Sequence, residues 1–373
     1  MRKISKLNMS VILLASWLVA LTASAHAQRK ASANDTARFL AGMKLASSSP
    51  LDPLTKTQSW QHHAKSFDAA WAGLNKRRLN NIRSWSKAHL KNPKAVMFYM
   101  FSGPDFLYAN TFFPNAKTYV LSGLEPVGTL TKVRRTRYNM SGALGHLRAS
   151  LATSLNYSFF ITQDMKTNLK DGVFTGTLPL LYIFLARAGK TIDKVRFVKL
   201  NKDGTVSDRG KRGKARIVPG VEIKFSNQGQ QSQTLYYFQT DLSNGGTKRS
   251  GFLKFLNKLG PGDSLVKSAS YLMHRPHFSN VRNFLLSQSA TLLQDDSGIP
   301  LRYFKRNKWR LHPFGKYFRP IPIFEGYYQS DMRQLFRKGR AAKATFGMGY
   351  RWRVHETNIL LATKKPGRST RLD

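Results

Sequence analysis

The sequence predicts an α/β protein, and three observations support this class. Two β-prone apolar runs flank a short helical stretch within residues 95–121. Further along the chain, helical segments alternate with strands. Residues 221–238 contain two strands joined by a loop rich in Gly, Gln and Ser, which is typical of an antiparallel pair. We therefore expect a mostly parallel, Rossmann-like central sheet, an added antiparallel strand pair and a helical N-terminal segment.

The first strand–helix–strand unit begins at residues 95–101, which are nearly all apolar, as in a strand buried on both faces of a parallel sheet. Residues 102–105, Ser-Gly-Pro-Asp, then turn the chain. Residues 106–113 can form a short helix that Pro114 ends, and residues 118–121 are the next β-prone run. This order of elements predicts a βαβ unit.

Helical spacing marks several other segments. In residues 60–90, large apolar side chains recur three and four positions apart. Residues 178–188 are apolar all round, with Pro179 in the first turn and Gly189 just past the end, which predicts a buried helix. Further helices are predicted at residues 139–156, 251–259, 281–287 and 332–338.

The later strands are shorter and partly alternating. Residues 194–200 and 221–225 alternate between apolar and polar side chains, which predicts strands with one exposed face. Residues 235–238, 291–294 and 357–363 are further β-prone runs.

The N-terminus has the pattern of a secretory signal peptide. Three cations precede an apolar stretch at residues 9–21, and Ala25-His26-Ala27 is a small-x-small sequence of the kind that a signal peptidase accepts. We expect cleavage after Ala27, export to the periplasm or the extracellular space, and no transmembrane anchor after cleavage. The alternative is an uncleaved N-terminal anchor.

Composition divides the chain into five parts. The signal peptide, residues 1–27, is followed by a flexible leader at residues 28–59, which is rich in Ser, Ala, Thr and Lys. The helical N-terminal segment covers residues 60–92 and the α/β domain residues 93–363. Residues 364–373 form a basic tail.

The absence of cysteine and the large positive charge limit the functions that the chain can have. Without cysteine, disulfides, thiolate metal sites and a cysteine nucleophile are excluded. The net charge of +42 predicts attraction to an anionic envelope polymer or an anionic membrane surface. Nucleic acid is not expected as a partner in vivo, because the chain is expected to leave the cytoplasm.

One aromatic and basic segment, residues 301–320, concentrates this charge. In such a segment the aromatic rings can stack on an anionic polymer and the cations can neutralise its charge. The alternative is a strand with an aromatic inner face and a basic outer face, which gives the same alternation. The candidate contacts for an anionic polymer are Arg302, Lys305, Arg306, Lys308 and Arg310.

Candidate ligand-binding residues follow the first two predicted strands. Ser102, Gly103 and Asp105 lie at the carboxyl end of the first strand, where open α/β sheets bind ligands. Glu125 lies 22 residues after Gly103, a position similar to that of the acid that holds a ribose in nucleotide-binding folds. The single glycine and the proline of the turn do not match a dinucleotide fingerprint. The alternative is that Asp105 only caps a helix and Gly103 only turns the chain.

Asp295 and Asp296 are further candidates, because they form a strong turn signal after a predicted strand. Either aspartate could orient a histidine that activates Ser102 as a nucleophile. The possible bases are His274, His277 and His312. No G-x-S-x-G elbow is present, so the sequence does not show that these residues converge.

A weak candidate metal site combines His274 and His277 with the two aspartates. Imidazole and carboxylate ligands suit zinc or manganese, although a proline and an arginine separate the histidines. The alternative is a turn in which Asp295 and Asp296 bind their own backbone.

Three longer phrases suggest a family. The stretches FSGPDFLYANTFFPNA, YVLSGLEPVG and LLQDDSGIPLRYF resemble those of an uncharacterised family of secreted bacterial proteins that has no assigned activity. The resemblance covers most of the chain after the leader, implies export, and implies no reaction or catalytic residue.

From the sequence we expect an exported protein that binds or hydrolyses a small polar or anionic ligand at the carboxyl ends of its strands. One alternative is a non-enzymatic basic protein that binds an anionic envelope polymer or membrane surface. Another is a nucleotide-dependent transferase. The sequence identifies no cofactor and does not decide whether the protein is an enzyme.

Overall fold

A computed structural model describes residues 30–130, 133, 139–159, 174–208, 218–227, 231–338 and 341–366. The predicted signal peptide lies outside these residues, as does most of the predicted basic tail.

A ten-stranded mixed sheet forms the centre of the molecule, and helices cover it. Its strands are β1 (Val96–Tyr99), β2 (Thr118–Gly123), β5 (Thr191–Leu200), β6 (Val206–Asp208), β7 (Val218–Ser226), β8 (Gln233–Gln239), β9 (Gly262–Val266), β10 (Ser289–Gln294), β11 (Trp309–Gly315) and β12 (Asn358–Lys364). A separate two-stranded ribbon pairs β3 (Thr129–Leu130) with β4 (Phe174–Thr175).

The strand order is β11-β12-β10-β9-β1-β2-β8-β7-β5-β6. Its middle five strands, from β10 to β8, run parallel, whereas every other pairing in the sheet is antiparallel. The expectation of a mostly parallel sheet is thus corrected to a mixed sheet. The added antiparallel strands are more numerous than the predicted pair, because short connections such as the turn between β5 and β6 can join only antiparallel neighbours.

The helices are interspersed among the strands. They are α1 (Ala33–Leu40), α2 (Asp52–Thr55), α3 (Gln58–Leu74), α4 (Asn80–His89), α5 (Phe106–Phe112), α6 (Met140–Tyr157), α7 (Leu178–Arg187), α8 (Asn244–Arg249), α9 (Phe252–Leu259), α10 (Ser279–Gln288) and α11 (Ser330–Lys338). A π-helical stretch, Asn75–Leu79, joins α3 to α4, and a 3-10 helix spans Pro322–Tyr327.

The predicted βαβ unit is present. Strand β1 pairs in parallel with β2, with Val96 opposite Thr118, and α5 connects them. Successive side chains of a strand point to opposite faces, so Phe98 of β1 belongs to one core and Tyr99 to the other. Because helices cover both faces, an almost wholly apolar run is needed here, which explains the sequence of β1.

The segment expected to be a flexible leader differs from that expectation. Ser32 and Asp35 form a capping box that begins α1, and Phe39 and Leu40 of this helix are fully buried. The average composition of the segment is polar, but its few apolar residues are spaced so that they meet the core. The average composition of the segment therefore did not indicate the helix α1.

The helices α3 and α4 pack on the same face of the sheet as α1. The π-helical stretch between them turns Arg78 inward, where its guanidinium donates a hydrogen bond of 2.9 Å to the hydroxyl of Tyr108 on α5. A cation in a basic run is therefore part of the interior. Within the described part of the chain, no helix has both the length and the apolar character that are needed to cross a membrane.

Candidate functional site

A cavity of about 590 Å³ opens at the carboxyl ends of β9, β1, β2 and β8, which are adjacent in the sheet. This volume suits a small molecule. Residues from all four strand ends line the cavity, and its polar floor includes Ser102, Gly103, Asp105, Glu125, Asp241 and Lys267.

The turn after β1 uses its own amide groups. Phe101 and Gly103 both have a left-handed backbone, with φ of +59° and +54°. This conformation lets the backbone N–H groups of Ser102 and Gly103 both donate to the carbonyl oxygen of Ser122 on β2, at 3.0 and 3.2 Å. These amides are the groups that a phosphate loop would offer to an anion, and here they are already engaged.

Asp105 closes the turn and is 1% exposed. Its Oδ1 accepts a hydrogen bond from the backbone N–H of Tyr108 at 3.2 Å, so it caps α5. Its Oδ2 accepts one from the hydroxyl of Tyr99 at 2.8 Å and lies 2.9 Å from Nζ of Lys267. The carboxylate of Asp105 thus occupies the N-terminus of α5, where an anionic ligand would otherwise bind.

Lys267, immediately after β9, was not among the residues selected from the sequence. Its side chain is 2% exposed, and its ammonium also donates to the carbonyl oxygen of Ser158 and lies 4.4 Å from the ring centre of Tyr108. A lone lysine directly after the short strand Gly262–Val266 was the signal that could have identified it. Since its donors are satisfied by the protein, Lys267 is a structural partner of Asp105.

Ser102 is 6% exposed and bonds to the backbone. Its Oγ donates to the carbonyl oxygen of Gly103 at 2.9 Å and accepts from the backbone N–H of Ser122 at 3.2 Å. Among the described residues that line the cavity there is no histidine. A nucleophilic serine needs an adjacent base, so the geometry does not assemble the hydrolase proposed from the sequence.

Glu125, after β2, has a different environment. It is 5% exposed and faces the cavity. Its Oε2 lies 3.5 Å from the hydroxyl of Tyr237, which makes its shorter bond, 2.7 Å, to the backbone oxygen of Glu125. No ion pair joins Glu125 to a cation in the described residues. A Cβ on Gly123 would overlap Oε2, so the glycine makes room for this carboxylate.

The charge of Glu125 affects its neighbour. Burial, and then the charge of Glu125, raise the pKa of Tyr237 well above its ordinary value. The phenol therefore stays a hydrogen-bond donor at neutral pH, and Glu125 retains lone pairs for a ligand that donates hydrogen bonds.

Asp241, after β8, is a third acid of the cavity and was not among the residues selected from the sequence. Its carboxylate is 48% exposed and lies 3.7 Å from Arg249. It accepts hydrogen bonds of 2.8 Å from both the backbone N–H and the hydroxyl of Ser243. The pattern of an acid followed by a serine at a strand end could have identified it.

Asp295 and Asp296 are close to this site but do not line the cavity. Oδ2 of Asp295 accepts a hydrogen bond of 3.0 Å from the backbone N–H of Ser268, the residue after Lys267. Oδ2 of Asp296 accepts one from the hydroxyl of Tyr271. The predicted turn thus supports the loop that follows β9, and a ligand in the cavity would contact that loop and not the two carboxylates.

Both aspartates are fully buried, and their pKa values are raised. Burial is the main cause for Asp295. For Asp296, burial and then the charge of Asp295 raise the pKa to about 7.

The loop after β9 is strained. The φ values of Ser268, Ser270 and Tyr271 are +53°, +50° and +53°. Residues other than glycine rarely adopt this left-handed backbone. The hydroxyls of Ser270 and Tyr350 lie 3.0 Å apart, and the hydroxyl of Tyr350 donates to the carbonyl oxygen of Ser268 at 3.2 Å. Since Ser268, Ser270 and Tyr350 all line the cavity, these bonds fix the shape of one wall.

The candidate metal ligands are not assembled into a cluster. Among the residues that the structure describes, no three or more His, Asp or Glu side chains are grouped so that they could hold a metal ion. The ring of His274 packs 5.1 Å from Tyr271 and 5.4 Å from Tyr327, and burial lowers the pKa of His274 to about 4. His277 is exposed.

The five candidate contacts for an anionic polymer lie around the start of β11. All five side chains are exposed, and none takes part in an ion pair of the described residues. These residues are Arg302, Lys305, Arg306, Lys308 and Arg310.

The charges of the cavity determine which ligands it favours. Asp105 is paired with Lys267 and Asp241 with Arg249, so Glu125 is the lining acid that no cation of the described residues pairs, in a chain of net charge +42. A neutral or cationic ligand therefore suits the cavity better than the anionic ligand considered from the sequence.

Comparison of the chain with protein-family models, with curated proteins and with solved structures finds no match.

Proposed function

We propose that the central sheet is of the doubly wound, Rossmann-like kind and that its cavity binds a small polar ligand containing a nucleoside. Numbered along the chain, the five parallel strands have the order 3-2-1-4-5 of nucleotide-binding sheets. The order reverses between β1 and β9, and the cavity lies at the ends of these strands. Ligands of open α/β sheets bind at such a switch point.

Glu125 is the observation that carries this proposal. It is a buried carboxylate without a cationic partner among the described residues, at the end of the second parallel strand. The hydroxyls of a ribose are hydrogen-bond donors, and an acid at this place in the fold accepts them. Binding would supply the donors that the carboxylate lacks.

The site supports binding or group transfer better than hydrolysis by Ser102. The strand ends supply the polar lining of the cavity, whereas Phe278, Ile321 and Phe324, an apolar wall, come from other segments. A nucleoside on the polar lining would leave the apolar wall for an apolar second group. This arrangement favours a transferase that uses a nucleoside-containing ligand without phosphate over the hydrolase. The engaged amides and the paired Lys267 offer nothing to a phosphate.

Calorimetry and thermal unfolding with adenosine, guanosine, cytidine and uridine test the proposal. At least one nucleoside is expected to raise the unfolding temperature, and its 5′-monophosphate is expected to bind more weakly. Glu125→Gln should weaken binding by roughly tenfold to a hundredfold, the value of a charge-assisted hydrogen bond.

Two controls make this test specific. The 2′,3′-dideoxynucleoside should bind the native protein weakly and should lose little more on Glu125→Gln, because the partner hydroxyls are already missing. Glu325→Gln, at an exposed glutamate that does not line the cavity, should leave affinity unchanged. If no nucleoside stabilises the protein, the proposal fails.

A second candidate function, binding of an anionic envelope polymer, rests on the five exposed cations near β11. Neutralising these five with glutamine should weaken binding to an acidic polysaccharide and make it less dependent on salt. The matched control neutralises five exposed cations elsewhere, namely Lys65, Lys76, Arg77, Lys87 and Lys91. Equal loss in both variants would show that charge acts without a specific surface.

A further inference from the structure

Exposed large apolar side chains are concentrated at the mouth of the cavity. The described residues include seven such side chains. Two of them, Leu124 and Ile323, line the cavity while being 60% and 79% exposed. Side chains of this kind on the rim of a site indicate a surface that contacts an apolar partner.

Four of the other five lie on chain segments that supply wall residues of the cavity or contact them. Phe318 and Tyr328, 52% and 50% exposed, flank the segment that supplies the wall residues Ile321 and Phe324. The remaining two are Tyr157, 43% exposed, and Val354, 44% exposed.

Ring contacts connect Tyr157 to the cavity wall. Its ring lies 5.0 Å from Trp352 and 6.4 Å from Phe159. Phe159 lies 5.3 Å from Tyr350, which lies 5.4 Å from Phe324. Val354 follows Trp352 by two positions along the chain. The seventh exposed side chain, Phe197, is on β5 in the antiparallel part of the sheet.

Arginines accompany the aromatic residues on this face. Arg333 lies 5.6 Å from the ring centre of Phe318, and Arg353 lies 4.6 Å from that of Trp352. Arg275 donates to the hydroxyl of Tyr327 at 2.7 Å. Two further arginines, Arg319 and Arg351, lie beside the segment: Arg351 donates to the carbonyl oxygen of Arg319 at 3.0 Å, and Arg319 is exposed.

The exposed acids of this face are few. Glu356 is held by Arg351 and Arg353 at 3.7 and 3.6 Å. Glu325 and Asp331 are exposed, and neither takes part in an ion pair of the described residues. With a net charge of +42, the chain as a whole is attracted to an anionic surface, and five arginines lie on this face.

We propose that the mouth of the cavity docks on an anionic lipid bilayer. Leu124 and Ile323 enter the apolar boundary of the bilayer, and the arginines and aromatic rings lie at the level of the headgroups, as in interfacial protein segments. The cavity then opens toward lipid, so its apolar outer wall receives a lipid-borne group directly from the membrane. This inference concerns a partner of the protein and does not depend on the identity of the ligand on the cavity floor.

Co-sedimentation with vesicles tests the docking. Vesicles of phosphatidylglycerol and phosphatidylcholine should bind the protein, and vesicles of phosphatidylcholine alone should bind it more weakly. The double variant Leu124→Ser, Ile323→Ser should bind the anionic vesicles about tenfold more weakly or worse, because it lacks the inserting side chains. Phe197→Ser is the matched control and should bind like the native protein.

A site-specific probe tests the orientation without requiring loss of binding. Because the chain contains no cysteine, Ile323→Cys and Phe197→Cys can each be labelled uniquely with an environment-sensitive fluorophore. On anionic vesicles, emission from position 323 should shift to the blue and that from position 197 should not.

Three results would overturn the proposal. The first is no binding to anionic vesicles even at low salt. The second is binding that leaves the probe at position 323 in water. The third is equal loss of binding in the double variant and in Phe197→Ser. If the double variant fails to fold, the two labelled single variants still decide between these outcomes.

Discussion

Two of the carboxylates that line the cavity, Asp105 and Glu125, are buried at neighbouring strand ends, and their environments differ. Asp105 is 1% exposed and Glu125 is 5% exposed, so burial does not distinguish them. Their partners do: Asp105 has a phenol, a backbone amide and the ammonium of Lys267, whereas Glu125 has one weak contact with Tyr237.

The comparison teaches that burial alone does not identify a functional acid. A buried charge with a complete set of partners belongs to the framework, and one with spare lone pairs remains able to bind a ligand. The expected consequences are opposite, since one acid should matter for folding and the other for binding.

The largest expected effect is on the framework pair. Lys267→Met leaves Asp105 as a buried charge without its cation, and it should lower the free energy of unfolding by about 3–5 kcal/mol. Urea unfolding followed by circular dichroism measures this loss. The double variant with Asp105→Asn removes both charges and should recover at least half of it. A double variant as unstable as the single one would break the assignment of Asp105 and Lys267 as a mutually dependent pair.

The second largest effect is expected at Glu125, which we propose binds the ligand. Glu125→Gln removes an unpaired buried charge, so the free energy of unfolding without ligand should stay the same or rise by up to about 1 kcal/mol. The loss should appear only in nucleoside affinity. Unfolding of the variant with and without nucleoside measures both quantities. A strong destabilisation of the free protein would instead place Glu125 in the framework with Asp105.

A pH experiment extends the comparison to the carboxylates behind the loop. The pKa of Asp296 is raised to about 7 in the folded protein, whereas an unfolded aspartate titrates near pH 3.9. The folded state therefore binds the extra proton, and the associated stability is present below about pH 4 and lost as the pH rises to about 7.

In Asp296→Asn this contribution to stability is absent at every pH, so the variant does not lose it as the pH rises. The difference in unfolding free energy, variant minus native, should increase by up to about 1.4 kcal/mol per pH unit between about pH 4 and 7. Burial lowers the pKa values of His63 and His274 to about 4, so their contribution to stability rises with pH. Both histidines occur in both proteins, so their contributions cancel in the difference. Asp331→Asn, at an exposed carboxylate, is the control. A difference that does not change with pH would show that Asp296 is ionised throughout.

The smallest expected effect concerns Ser102. Ser102→Ala removes two hydrogen bonds to the backbone, so the free energy of unfolding should fall by about 1 kcal/mol. Nucleoside affinity should change less than twofold. A much larger loss of affinity or activity than of stability would return Ser102 to a direct role in the chemistry.

Much of the sheet could be predicted because its signals are local. The apolar run at β1, the glycine–proline turn and the helix end at Pro114 each follow from neighbouring residues. The strand order could not be predicted, because the pairing of β1 with β9 joins residues far apart in sequence. The ordered α1 was missed because its burial depends on helices that meet it only in the folded chain.

The meeting of four candidate residues at one cavity could be predicted from the expected parallel pairing. Ser102, Gly103, Asp105 and Glu125 do line one cavity, since parallel strand ends meet at one edge of a sheet. The role of each side chain was not accessible, because Asp105 and Lys267 are far apart in sequence and meet only in the folded chain. Asp295 and Asp296 face the loop after β9, where their carboxylate oxygens accept hydrogen bonds from Ser268 and Tyr271.

The strained loop after β9 has a consequence for substitutions at position 270. Glycine would relieve the left-handed backbone there, yet it would also remove the hydroxyl that meets Tyr350 on the cavity wall. The residue that relaxes the backbone and the residue that holds the wall are therefore different, and the chain carries the serine that holds the wall.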